Sequence, residues 1–195
     1  ACLVGSEMCI RDSNNIVLRM KAVNPDIVIP ANYYNEYALL VRTMQQQKVT
    51  PKAIYSVLGG AASSYKFVKE FPDAANGIID CNHWFNPKDK RAQDLKKRVE
   101  AKGLFFSYEL FMTYTSMWLL ADALERAKSA DRAALIDALE KSTFADHIMP
   151  YGPTKFVAGQ NQGAQPLMTQ VLNKDIKVII PRDYREADPL FPLKA

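Results

Sequence analysis

An alternation of short apolar runs, polar loops and amphipathic helices constrains the fold of this 195-residue chain more than any other feature. The stretch 24–34 contains an apolar run that ends in a polar, aromatic loop, and an amphipathic helix is predicted over 35–47. Second and third apolar runs lie at 53–57 and 77–81, and each also ends in a loop. Strand, loop and helix repeated in this order predict an α/β fold whose parallel sheet is flanked by helices.

The residues that follow the three predicted strands are the candidate ligand-binding residues. Ligands of open parallel sheets bind in the crevice beyond the carboxyl ends of the strands. The residues at those ends are Asn32, Tyr33, Tyr34, Leu58, Gly59 and Trp84. Because this set is aromatic and uncharged, it suits the binding of a ligand better than acid–base catalysis.

The same segments resemble a known family. NPDIVIPANYYNE, KAIYSVLGGAASS and the aromatic loop near Trp84 are similar to segments of the branched-chain amino-acid class of ABC-transporter substrate-binding proteins. YELFMTYTSMWLLADALERA and GPTKFVAGQNQGAQPLMTQV extend the resemblance from about residue 14 to the end of the chain. It implies a type I periplasmic-binding-protein fold, in which two α/β lobes enclose a cleft and deliver ligand to permease subunits in the inner membrane. Because members of this family are longer, the resemblance implies a C-terminal portion whose first lobe is largely missing.

The resemblance also implies a division of the chain. Residues 14–85 are expected in the second α/β lobe, 86–150 in a helical segment that contributes to the first lobe, and 151–195 back in the second lobe. Residues 1–13 carry two of the three cysteines, lead into no recognisable element and resemble a translated sequencing adapter. We interpret them as a non-native artefact, with a natural leader peptide as the alternative. A native N-terminus with a signal peptide is then expected upstream.

Periodicity predicts the elements of the second half. Helices are expected at 88–101, at 107–128 and from after Ser129 to about 141, with an apolar face on the second of them. This face is formed by Leu110, Thr113, Met117, Leu120, Ala121 and Leu124. A short strand is expected at 154–157 and a turn-rich loop at 159–163. Two β-type runs, 167–172 and 176–180, predict a C-terminal hairpin. We expect Ile27, Ile29, Ile54 and Ile79 in the core of the sheet.

Composition excludes several classes of protein. A chain of this length with 48% hydrophobic residues can bury a core. The apolar runs are much shorter than the ~20 residues that a membrane-spanning helix needs. The net charge of +4 is modest, and the lysine-rich stretch 88–102 also contains acids. We interpret that stretch as a solvated helix face and expect no nucleic acid as a partner.

Each candidate residue also has a structural interpretation. Tyr33 or Tyr34 can stack on a ligand, but the loop can equally be a helix start that Asn32 or Asn35 caps. Gly59 and Gly60 permit close approach of a ligand to the backbone, or form an ordinary turn. Leu58 stands where the resemblance places an acidic residue that holds the ammonium group of an amino acid. Amides and carboxylates are therefore as compatible with the loop as an α-amino acid.

The aromatic residues further along the chain leave the same choice open. Trp84 can form a wall of the cleft or cover the connection between lobes. The resemblance places Tyr108, at the start of a long helix, at the cleft, whereas the nearby residues 105–111 favour packing in a core.

No catalytic motif is present in the sequence. There is no GxSxG elbow, GxGxxG fingerprint or GxxxxGK[ST] loop, and His83 and His147 have no metal-ligand spacing. We therefore expect no enzyme, cofactor or metal. The sequence predicts a periplasmic solute-binding component of an ABC transporter that captures an amino acid, amide or carboxylate. The alternatives are a fragment of an α/β enzyme, a dehydrogenase or hydrolase, and the ligand-sensing domain of a regulator.

Overall fold

The computed structural model describes residues 7–57 and 61–193, with side chains from Ser13 onward. The described chain forms two compact units. The first, called the sheet unit, comprises the residues up to Asn82 and those from Leu167 onward. The second, called the helical unit, is His83–Pro166. The predicted borders at 85/86 and 150/151 lie inside the helical unit, and the assignment of segments to lobes of a larger protein stays a prediction.

Both units combine helices with strands. The helices are α1 (Glu7–Val23), α2 (Tyr34–Gln46), α3 (Tyr65–Glu70), α4 (Pro72–Ala75), α5 (Lys90–Glu100), α6 (Tyr108–Ala127) and α7 (Arg132–Glu140). The strands are β1 (Ile27–Val28), β2 (Ala53–Val57), β3 (Ile79–Asn82), β4 (Phe156–Val157), β5 (Gln160–Asn161), β6 (Leu167–Leu172) and β7 (Asp175–Ile180). A short 3-10 helix, Arg182–Tyr184, follows β7.

The sheet unit contains a five-stranded sheet in the order β1-β2-β3-β6-β7. β1, β2 and β3 are parallel, which confirms the prediction from the alternating pattern. β6 runs antiparallel to β3, and β7 antiparallel to β6. The sheet is therefore mixed, because β6 is antiparallel to the three parallel strands and a two-residue turn then reverses the chain into β7.

The predicted hairpin forms with that tight turn. Asn173 and Lys174 both have positive φ, 52° and 64°, and Leu172 pairs with Asp175. Two consecutive left-handed residues define a type I′ turn, whose twist matches that of the flanking strands. The strand β7 thus begins one residue before its predicted start.

β1 is an edge strand, and this changes the expected core. Ile27 and Ile29 are 51% and 63% exposed, whereas Val28 between them is buried. Ile54 on the neighbouring β2 is buried as expected, and Ile79 is half-buried. The prediction of Ile27 and Ile29 as core residues was wrong, because alternate residues of a strand point to opposite faces and only Val28 faces inward.

The N-terminal helix extends further back than the sequence suggested. α1 begins at Glu7, so residues 7–13 do belong to a recognisable element, contrary to prediction. Val17 is buried, and the Lys21 ammonium donates a hydrogen bond to the Gln47 carbonyl at 3.1 Å. The foreign origin of residues 1–13 stays a prediction.

The helices α5, α6 and α7 lie close to their predicted bounds, but the apolar face predicted on α6 is not its buried face. Phe111 and Ala123 are the buried residues of α6, whereas Met117 is 60% exposed. Apolar residues lie on more than one side of this helix, so the periodicity alone did not identify the covered side. In the described part of the chain, no helix is both long and apolar enough to cross a membrane.

The start of α7 offers a test of local stability. The Asp131 carboxylate accepts hydrogen bonds from the amides of Ala133 and Ala134 at 2.9 and 3.1 Å. Asp131→Ala is expected to reduce the free energy of unfolding by about 1 kcal/mol, because it leaves these amides without a side-chain acceptor. Urea denaturation followed by circular dichroism measures the change. The neighbouring exposed Arg132→Ala is the control, with an expected change within about 0.5 kcal/mol; equal effects of both would contradict a capping role.

Candidate functional site

The parallel strands of the sheet unit end at a common edge. β1, β2 and β3 lead at this edge into the segments that begin with Ile29, Leu58 and His83. Asn82 pairs with Leu167, so the two connections to the helical unit leave the sheet unit side by side at the same edge. Open α/β sheets bind ligands at such an edge.

Tyr33 is the most accessible of those predicted site residues that the structure describes. It is 86% exposed and is the N-cap residue of α2, where its side chain makes no capping hydrogen bond. Asn32 is half-buried beside it. Neither Asn32 nor Asn35 occupies the N-cap position, so neither asparagine caps this helix as the structural interpretation of the sequence suggested. The exposed phenol ring is free to stack on a ligand.

Tyr34 is held by helix α3 instead. Its hydroxyl donates a hydrogen bond to Glu70 Oε2 at 2.7 Å, and its ring meets that of Phe67 edge-on at 6.2 Å between centroids. The Lys66 ammonium lies 5.0 Å from the centre of the Tyr34 ring. Burial and the Glu70 carboxylate raise the pKa of this phenol above its usual value. Tyr34 therefore joins α2 to α3, and its hydroxyl is already engaged.

The loop after β2 is described only in part. Leu58 and Gly59, both predicted site residues, lie outside the described residues, as does Gly60. The described end of the loop contains Ser63, which is fully buried and donates a hydrogen bond to Asp80 Oδ2. Asp80 lies on β3 and is also fully buried. The sequence analysis did not select Asp80, although the alternation in Ile79-Asp80-Cys81-Asn82 could have indicated a polar residue on the inner face.

Trp84 lies in the core of the helical unit. Its side chain is fully buried, and its ring lies 5.2 Å from that of Phe85 and 5.4 Å from that of Phe111 between centroids. Phe106 extends the cluster at 5.1 Å from Phe85. In this structure Trp84 has no surface for a ligand, so the structure supports a packing role. A ligand contact by Trp84 stays a prediction.

Tyr108 begins α6 in the helical unit and is half-buried. The predicted site residues are thus divided between the units: Asn32, Tyr33 and Tyr34 lie in the sheet unit, whereas Trp84 and Tyr108 lie in the helical unit.

The helical unit also contains a cavity of about 290 Å³. His83 and His147, distant in sequence, both line it, together with Thr115 and Tyr151. His147 Nε2 lies 3.1 Å from the Gly152 carbonyl, and its Nδ1 accepts a hydrogen bond from the Met149 amide at 3.3 Å. Both nitrogens of His147 are therefore engaged by the backbone. Across the described residues, no group of three or more His, Cys, Asp and Glu side chains could hold a metal ion.

Comparison with known proteins identifies the family of the chain. The profile of the periplasmic binding protein family matches residues 10–176. The chain therefore belongs to the periplasmic binding protein family, which confirms the resemblance seen in the sequence. No curated protein sequence matches the chain.

Solved structures show the same fold. A leucine-binding protein of Thermotoga maritima superposes with a TM-score of 0.69 at 20% identity, covering 86% of this chain and 47% of that protein. A branched-chain amino acid transporter substrate-binding protein of Streptococcus pneumoniae in complex with isoleucine gives 0.67 at 19% identity, covering 86% and 48%. A solute-binding protein of R. palustris in complex with benzoate gives 0.67 at 16% identity, covering 85% and 45%.

The chain thus has the type I periplasmic-binding-protein fold and spans about half the length of the structures it matches. This family and fold are those of non-enzymatic solute-binding proteins.

Proposed function

We propose that this chain is part of the extracytoplasmic solute-binding component of an ABC transporter. The component captures a small organic ligand, an amino acid, amide or carboxylate, in a cleft between two lobes and delivers it to permease subunits in the inner membrane. Membership of the periplasmic binding protein family is the observation that carries the proposal. The sheet edge with the exposed Tyr33 supplies a surface at which a ligand can bind.

The described edge favours a ligand with an aromatic or apolar body and a carboxylate or amide group. Tyr33 offers an exposed ring for stacking. It provides no side-chain acceptor to the first turn of α2, so the amides of that turn can meet a carboxylate oxygen. Similar proteins that carry isoleucine or benzoate show that this fold accommodates both chemistries. No cofactor is part of the proposal.

Replacement of Tyr33 tests the proposed site. In the protein that carries this chain together with the sequence preceding it in the gene, Tyr33→Ala is expected to weaken binding of the best ligand roughly ten- to a hundredfold. Burying an aromatic ring against a ligand contributes about 1–3 kcal/mol. The measurement is calorimetric titration with a panel of amino acids, amides and aromatic acids.

Two variants make this titration specific. Tyr33→Phe retains the ring and removes the hydroxyl, so it separates stacking from hydrogen bonding. Val23→Ala removes another exposed apolar side chain of the sheet unit, 77% exposed at the end of α1, and is expected to leave affinity unchanged. An unchanged affinity of Tyr33→Ala, with normal thermal unfolding, would remove Tyr33 from the site. Failure of every ligand in the panel to bind the wild type would count against the proposed function itself.

A further inference from the structure

A buried polar row crosses one face of the sheet beside Ser63, in the described part of the segment between β2 and α3. Ser56, Asp80 and Thr169 are aligned on β2, β3 and β6, because Asp80 pairs with Ser56 on one side and with Thr169 on the other. Tyr37 from α2 and Ser63 from the loop complete the cluster. All five side chains are at most 1% exposed.

Asp80 is the one acidic residue among these five. With the usual pKa of an aspartate it would be negatively charged at neutral pH, whereas the other four side chains would be neutral. In the described structure Asp80 has no ion-pair partner. Its Oδ2 accepts the hydrogen bond from Ser63, whereas Oδ1 meets no donor with good hydrogen-bond geometry among the described residues. Burying a carboxylate without a cation costs several kcal/mol, on the order of the net stability of a domain. A carboxylic acid avoids that cost.

The surroundings of Asp80 support the neutral form. Burial raises the pKa of the Asp80 carboxyl above its usual value, and the nearby Ser63 and Ser56 hydroxyls, the Asn82 side-chain amide and the Cys81 backbone amide only partly oppose this rise. The titratable groups that interact electrostatically with Asp80 are Tyr37 from α2 and Tyr55, which precedes Ser56 on β2 and points to the opposite face of the sheet. Both become anions when they ionise, so neither compensates a negative charge. The loop and β6 contribute Ser63 and Thr169, which do not titrate.

We propose that Asp80 is buried as a neutral carboxylic acid in the folded chain, so that its ionisation weakens the packing of β2, β3 and β6 beside Ser63. Ser63 immediately precedes Ser64, the N-cap residue of α3, and follows the partly described loop at the candidate ligand edge. Ionisation of Asp80 would draw water or a counterion towards the buried row beside Ser63. That this change affects a ligand at the sheet edge rests on the proposed function, whereas the effect on the row does not.

The sign of the pH dependence follows from proton linkage. An aspartate in an unfolded chain has a pKa of about 3.9. Since the pKa is raised in the folded state, the folded protein binds the proton more tightly. The stabilisation is complete below the unfolded pKa and is lost as the pH rises through the folded pKa.

Unfolding of the 195-residue chain in urea from about pH 4 upward tests this proposal. Asp80→Asn retains the shape and the neutrality of the acid. The urea midpoint of the variant minus that of the wild type is therefore expected to increase as the pH rises. The control is Asp73→Asn, an exposed aspartate in the first turn of α4, which is expected to follow the wild-type pH profile. A difference between Asp80→Asn and wild type that stays constant with pH would overturn the proposal. A variant that becomes less stable than the wild type as the pH rises would overturn it as well.

Nuclear magnetic resonance of the wild-type chain gives a second, independent measurement, even if the variant does not fold. The Asp80 side-chain carboxyl is expected to titrate above the value of about 3.9 of an aspartate in an unfolded chain, and the amides of Ser63 and Ser64 are expected to shift with the same midpoint. Ser63→Ala removes a hydrogen bond to the carboxyl and is expected to move the Asp80 midpoint further upward. A midpoint at or below about 3.9, or Ser63 and Ser64 amides that do not follow it, would refute the assignment. Because no ligand is used, this result is independent of the titration of Tyr33 variants.

Discussion

Trp84→Ala is expected to lower the free energy of unfolding of the helical unit by about 3–5 kcal/mol, the usual cost of removing a fully buried large aromatic side chain. Trp84 is fully buried and contacts the rings of Phe85 and Phe111 at 5.2 and 5.4 Å between centroids. Alanine would leave a cavity among aromatic rings and remove their edge contacts. Equilibrium denaturation followed by far-ultraviolet circular dichroism measures the loss.

Trp118 provides a matched control for this substitution. It is the same residue type in the same unit but is 52% exposed, with one edge contact to Tyr114 at 6.2 Å. Trp118→Ala is expected to cost about 1 kcal/mol or less, because little area leaves water at that position. Similar losses for both variants would show that Trp84 is not a core residue of the folded chain, and would favour its alternative role as a wall of a cleft.

The sequence predicted best those elements whose signals are local. The strand Ala53–Val57 has the bounds expected from its apolar run. Helix α6 begins directly after Ser107 and ends one residue before Lys128, within one residue of prediction at each end. By contrast, the strand predicted at 154–157 forms only over Phe156–Val157, as β4. Its partner β5, Gln160–Asn161, lies in the segment 159–163 that was predicted as a loop. Strands this short depend on contacts that a local pattern does not contain.

The edge that holds the candidate site could also be predicted, because parallel strands bring their carboxyl ends together wherever the pattern repeats. The burial of individual side chains there could not. Trp84 and Phe111 are distant in sequence yet adjacent in space, and nothing local distinguishes a buried tryptophan from one that lines a cleft. Asp80 was missed because candidate residues were sought only after the ends of the strands. Its alignment with Ser56 and Thr169 depends on the register between strands, which the sequence does not give.

Tyr33 and Tyr34 illustrate the same limit at adjacent positions. Both follow β1, and their residue type gives no reason to separate them. The structure leaves Tyr33 86% exposed, whereas Tyr34 is engaged by Glu70 of α3, more than 30 positions further along the chain. A contact over that separation depends on how α2 and α3 pack together, so the sequence could select the pair but not the member that is free to meet a ligand.

The packing of α2 on α3 depends on Phe67, and its removal is the second substitution with a large expected effect. Phe67 is fully buried, and its ring lies 5.7 Å from that of Tyr37 and 5.8 Å from that of Phe71 between centroids. Phe67→Ala is expected to reduce the free energy of unfolding of the sheet unit by about 3–5 kcal/mol. Phe67→Leu, which retains most of the apolar volume, is expected to lose less.

The location of this loss can be resolved because both tryptophans of the chain, Trp84 and Trp118, lie in the helical unit. Tryptophan fluorescence therefore reports on that unit, whereas circular dichroism reports on both. If the two units unfold independently, Phe67→Ala shifts the dichroism transition to lower urea and leaves the fluorescence transition in place. If both transitions move together, the units unfold as one cooperative body.

The exposed Phe191→Ala is the control, with an expected change within about 0.5 kcal/mol. A Phe67→Ala variant as stable as this control would show that α3 contributes little to the core of the sheet unit, and would remove the structural basis for the Tyr34–Glu70 contact that Phe67 supports.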